Sequence, residues 1–101
     1  MASEEWVWEA LRYVVDPELG INIVDLGLVY RVEVEGGRVC VEMTMTTPAC
    51  PVGPYLRDLA EAAIRENGMG VESVDVQLVW DPPWHPGMMS EESRRQLGVA
   101  G

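Results

Sequence analysis

Two alternating runs separated by a Gly-Gly pair constrain this chain more than any other feature. Apolar and polar side chains alternate from Leu28 to Glu35 and again from Arg38 to Thr46, and Gly36-Gly37 between them reads as a two-residue hairpin turn. Closing that turn pairs Glu35 with Arg38 and fixes the rest of the register. Val34 then falls opposite Val39, Val32 opposite Val41 and Tyr30 opposite Met43, all on one side of the sheet. Arg31 falls opposite Glu42 on the other side, as an oppositely charged cross-strand pair. A slip of one residue would turn every apolar side chain to the wrong face.

The segments around the hairpin supply the rest of a small domain. Ser3 is placed to cap a first helix over about residues 4–15, with Glu4 and Glu5 in its first turn and Val7, Ala10, Leu11 and Val14 at helical spacing. Asp16-Pro17 stops that helix, because the residue before a proline is pushed out of the helical region; a loop then runs to Gly27. A second helix follows Pro51, with Leu56, Leu59, Ala60, Ala63 and Ile64 as its stripe and Asn67-Gly68 as its C-terminal cap. A third strand spans about Glu72 to Trp80, presenting Val74, Val76, Leu78 and Trp80 on one face. The proline-rich stretch from Asp81 to Gly87 reads as irregular, and Ser90 caps a short last helix ending near Gly98. The expected fold is α+β, one domain over residues 1–101 in the order α-β-β-α-β-α, with helices packed on one face of a three-stranded mixed sheet.

Length and charge narrow the function. At 101 residues the chain is one domain, large enough to bury roughly 65% of its unfolded surface. It has no lysine, and seven arginines face seventeen carboxylates, giving a formal net charge of −10. Such a surface repels phosphate backbones and acidic membranes, so neither nucleic acid nor a membrane is an expected partner. No run reaches the roughly 20 apolar residues of a transmembrane helix. The first residues lack the basic and apolar regions of a signal peptide. The expectation is a soluble, cytoplasmic protein. One histidine, two unpaired cysteines and no phosphate-binding glycine loop leave no closed zinc site and no Ser-His-Asp triad to assemble.

The topology gathers unusual segments at one end of the sheet. The hairpin register sets Leu26 across from Thr47, bringing the loop that holds Asp16, Glu18 and Asp25 toward the end of the second strand. A strand-helix-strand crossover returns the third strand parallel to the second, so Trp80-Asp81 ends at the same edge. Cys50 is the best chemical candidate there. It stands at the start of the second helix, where free N–H groups and the helix dipole stabilise a thiolate, among prolines 48, 51 and 54. The alternative is a small cysteine filling space. Asp16 is a turn opener that could also accept a hydrogen bond near Cys50 or offer an oxygen ligand, and Glu18 is equally ambiguous. Thr46 and Thr47 suit a strand and could also donate to a bound anion or cluster. Trp84 and Trp80 read as lids over the core before stacking platforms, His85 as a solvated loop residue, and Met88-Met89 as adaptable packing. Cys40 reads as structural, on one sheet face with Glu42 and Thr44. At strand rise it lies on the order of 20 Å from Cys50, too far for a disulfide.

Asp16-Pro17-Glu18-Leu19, Leu26-Gly27-Leu28-Val29-Tyr30, the run from Thr44 to Pro51 and Asp81-Pro82-Pro83-Trp84 together resemble the metal–sulfur cluster biosynthesis family, with its PaaD-like and SufT-like members. The resemblance covers nearly the whole chain in one order. It implies a small α+β fold, a role in maturing iron–sulfur proteins, a functional cysteine at Cys50, and a site lined by Asp16, Glu18, Thr46 and Thr47. PaaD itself carries a cysteine-rich C-terminal extension that these residues do not contain, which favours general assembly over phenylacetyl-CoA oxidation. A cluster is usually held by four thiolates, so a transiently bound iron or cluster would be shared with a second copy, a client, an assembly protein or a small thiol. Two other readings remain open. One is a metal-free adaptor docking clients through Trp80 and Trp84, in an assembly or multicomponent oxygenase system. The other is a thiol enzyme using Cys50 with Asp16 nearby.

Overall fold

The computed structural model describes residues 4–46, 53–68 and 70–98. The chain runs through α1 (Glu5–Leu11), β1 (Val15–Asp16), β2 (Ile21–Asn22), β3 (Val29–Glu35), β4 (Arg38–Met43), α2 (Gly53–Asn67), β5 (Ser73–Leu78), a 3-10 turn at Pro86–Met88 and α3 (Glu91–Leu97). The order of the major elements is the one the sequence predicts, and the fold is α+β. Between α1 and β3, where a plain loop was expected, β1 and β2 form a small antiparallel ribbon.

The main sheet has the order β3-β4-β5, with β3 antiparallel and β5 parallel to β4. The hairpin register holds from Glu35↔Arg38 through Val34↔Val39 and Val32↔Val41 to Arg31↔Glu42. It then shifts. Val29, not Tyr30, pairs with Met43, because Tyr30 is the extra residue of a β-bulge. The bulge turns the tyrosine toward the C-terminal segment, where its hydroxyl finds a partner.

Alternation divides the sheet into two faces. Val32, Val39, Val41, Met43, Val74 and Val76 are buried, packed with Val7 and Leu11 of α1 and Leu56, Ala60 and Ile64 of α2. Each valine, leucine, isoleucine and methionine among them contributes about 1.5–3 kcal/mol through burial, so this face is the main source of stability. Arg31, Arg38, Cys40, Asp75 and Gln77 stand exposed on the other face. Cys40 therefore shares a face with Glu42 as expected, but it fills no core. Thr44, expected beside it, is 1% exposed.

Three element ends differ from expectation. The first helix closes at Leu11 rather than near residue 15: Val14 donates to Leu11 O in the last turn, and its own carbonyl accepts from Ile23 N. Helical phase at Val14 is thus overridden by the ribbon. Regular pairing in the second strand stops at Met43 and in the third at Leu78, which leaves Trp80 beyond the sheet and 45% exposed, no lid over the core. Ser90 caps α3 by accepting from Ser93 N, as predicted, and Gly98 ends it in the left-handed region. The expected cap Ser3 lies outside the described residues.

Candidate functional site

Four backbone hydrogen bonds knit one end of the sheet together. Ile23 N donates to Val14 O (2.9 Å), Leu28 N to Ile23 O (3.0 Å), Thr44 N to Leu28 O (2.7 Å) and Val79 N to Met43 O (2.7 Å). The acidic ribbon, the end of β4 and the end of β5 are joined through this chain. Ile23, Leu28 and Met43, which carry it, are fully buried. Thr44, Met45 and Thr46 follow β4 in the chain, Thr44 and Met45 buried and Thr46 half-buried.

Asp16 occupies the ribbon turn. The residue is 4% exposed, and Oδ1 accepts from Glu18 N at 2.8 Å, an Asx turn. Its carbonyl accepts from Gly20 N at 2.7 Å. Pro17 and the Asx turn together fix the loop, leaving Glu18 exposed beside a buried carboxylate. Asp25 has structural work. It accepts from Asn22 Nδ2 (2.8 Å), faces Arg12 across 3.2 Å, and offers its carbonyl to Ser90 N (2.7 Å).

A strap from Asp81 to Ser90 returns along this end of the sheet. Tyr30 donates its hydroxyl proton to Pro82 O (2.7 Å), with Met88 Sδ 3.5 Å from the same oxygen, and Trp84 Nε1 donates to Leu26 O (2.8 Å). His85 accepts from Gly87 N through Nδ1 (3.1 Å), so the lone histidine caps the 3-10 turn. Burial holds the Tyr30 phenol above its usual range; the Thr44 hydroxyl pulls the other way, and the Asp81 charge adds to the upward shift. Thr44 Oγ1 is itself buried without a well-formed hydrogen bond among the described residues.

Of the residues predicted for a site, Asp16 and Glu18 are adjacent in one turn, Thr46 is half-buried where β4 runs out, and Trp84 is half-buried with its N–H engaged by Leu26. Cys50 and Thr47 lie outside the described residues, as does the expected Leu26–Thr47 approach. Among the described residues, no three His, Cys, Asp or Glu side chains form a group that could hold a metal ion. Sequence reasoning missed Tyr30, Thr44 and the Asn22–Asp25 pair. Asn-x-x-Asp is a turn signal that could have been read; the tyrosine latch depends on a partner too distant to read.

The fold is that of a small α+β protein whose ribbon, with Asp16 buried in it, is linked through Ile23 and Leu28 to the end of its central strand. Residues 4–77 match the iron-sulfur cluster assembly protein family, and the chain belongs to it. It is 46% identical over 88 residues, 86% of its length, to the Fe-S protein maturation auxiliary factor SufT of Staphylococcus aureus, covering 99% of that protein. It is 32% identical over 97 residues, 96% of its length, to an iron-sulfur cluster carrier protein of Synechocystis, of which the matched part is 27%. The crystal structure of a domain of unknown function, DUF59, from Bacillus anthracis superposes with a TM-score of 0.89 at 36% identity, covering 96% of this chain and 92% of that one.

Proposed function

We propose that the chain is a cytoplasmic accessory factor in iron–sulfur cluster assembly or in transfer to client proteins, and that Cys50 is its working residue. The observation that carries the reading is the join, through Val14, Ile23 and Leu28, of the ribbon that holds Asp16 to Thr44, six residues before Cys50 in sequence. Membership of the assembly family, and the maturation and carrier names of the relatives, support the class of role. No helix among the described residues is long and apolar enough to cross a membrane, which agrees with action in solution.

The chemistry follows from the residue types. Cys50, three residues ahead of the described start of α2 at Gly53, loses its proton most readily if free helix N–H groups face the sulfur, and the thiolate binds iron. Asp16 and Glu18 offer carboxylate oxygens, and Thr46 and Thr47 offer hydroxyl donors. One thiolate cannot hold a cluster, so the remaining ligands come from a second copy, a client, an assembly protein or a small thiol. Sharing of this kind suits a carrier, because cargo held by one bond per chain leaves easily. Trp84 contributes by holding the strap, while Trp80 is the exposed aromatic available to a partner.

Anaerobic reconstitution with iron and sulfide tests the reading. Wild-type chain retains both elements after desalting and Cys50→Ser retains neither. Equal retention by the two proteins overturns the role of Cys50.

A further inference from the structure

We propose that the groove between the outer sheet face and the 81–90 strap receives an arginine side chain of a partner protein. A cavity of about 590 Å³ opens here, lined by Tyr30, Arg31, Glu42, Asp81, Pro82 and Met88, with Gly27 and Val29 behind them. Its charge is unbalanced. Arg31 is paired with Glu33 along its own strand, whereas the carboxylates of Glu42 and Asp81 have neither a hydrogen bond nor an ion pair among the described residues. Two carboxylates on one groove attract a cation, and the chain's net charge of −10 steers one toward it.

The walls favour a cation on an apolar stem. The Tyr30 ring, Pro82 and the Met88 thioether give such a stem a surface to lie on, and the ring face suits a flat guanidinium better than an ammonium. The Tyr30 hydroxyl has given its proton to Pro82 O, so its oxygen keeps a lone pair for an incoming N–H. The bulge at Tyr30 shapes one wall and the strap the other, so the groove exists only where the two meet. The inference does not depend on Cys50 or on iron.

Nuclear magnetic resonance titration of the ¹⁵N- and methyl-labelled full chain with N-acetyl-arginine amide tests it, with N-acetyl-citrulline amide as the neutral isostere. A single side chain is expected to bind with a dissociation constant on the order of 1 mM. The expected result is saturable shifts confined to Gly27, Arg31 and the Met88 methyl. They are weakened at least tenfold in Glu42→Gln/Asp81→Asn and absent with citrulline. Shifts spread over the acidic surface without saturation, an equal response to citrulline, or undiminished binding by the double variant would each overturn the proposal. Should the variant misfold, the citrulline comparison on the wild type still decides. Iron retention by Cys50→Ser is a separate readout, so the two proposals fail separately.

Discussion

The two ends of the main sheet are built by opposite means. At one end Gly36-Gly37 closes β3 onto β4 with two residues, and Gly36, at φ +57°, looks into open space. At the other, the ribbon, the end of β4, the end of β5 and the strap are held by contacts between residues far apart in the chain. Gly27, at φ +76°, sits under the Met88 backbone, whose carbonyl oxygen would lie 2.3 Å from an added Cβ. A local turn gives a stable end with no ligand chemistry. Long-range closure brings the Tyr30 hydroxyl onto Pro82 and the Trp84 indole onto Leu26, and the proposed site falls at that end.

Matched glycine substitutions break the comparison most sharply. Gly36→Ala meets only the left-handed backbone penalty and costs about 1 kcal/mol. Gly27→Ala adds a collision with backbone that cannot rotate away, so about 3 kcal/mol or more is expected, together with displacement of the strap. Urea unfolding curves for the two variants measure the difference; equal losses would mean that the strap gives way without resistance.

Trp84→Phe should follow at about 1–2 kcal/mol, because the Leu26 carbonyl loses its donor while the aromatic packing stays. Thermal unfolding checks this, and a loss confined to strap amides in hydrogen exchange would locate it. Tyr30→Phe should cost about 1 kcal/mol at neutral pH. The phenol ionises at higher pH in the folded chain than in the unfolded one, so the folded state holds its proton longer. Its contribution is complete below about pH 10 and is lost as pH rises through the native value. The stability gap between wild type and Tyr30→Phe therefore narrows above about pH 10; a constant gap would contradict burial of the phenol.

The same contrast explains what the sequence reveals. Val32, Val34, Val39 and Val41 alternate beside their own turn, so their pairing is legible without any distant partner. Tyr30 also fits the alternation, yet it leaves the ladder for Pro82, 52 residues away. Val14 fits a helical stripe, yet its carbonyl is taken by Ile23. Trp80 fits a strand face, but pairing ends before it. Tyr30 and Val14 depart where a contact outside the local pattern takes over, Trp80 where the ladder ends, and all three lie at the end away from the hairpin turn. Asp16 was legible as a turn residue, from the Asp-Pro pair; its near-complete burial was not.

The smallest structural effect should come from Asp16→Asn. The amide oxygen still accepts from Glu18 N, so stability should change by less than about 0.5 kcal/mol. Iron retention after reconstitution should fall nonetheless, which separates the charge of Asp16 from its turn. Unchanged retention would reduce Asp16 to a structural residue.

Cys40 stands exposed on the outer sheet face, and Cys50 follows Thr46 by four residues in sequence. The decisive measurement is the initial rate at which the chain, after anaerobic reconstitution with iron and sulfide, reactivates an apo iron–sulfur protein. Wild type and Cys40→Ser should be equally fast, and Cys50→Ser at least tenfold slower. A Cys50→Ser chain that matches wild type, or a loss that follows Cys40 instead, would contradict the account.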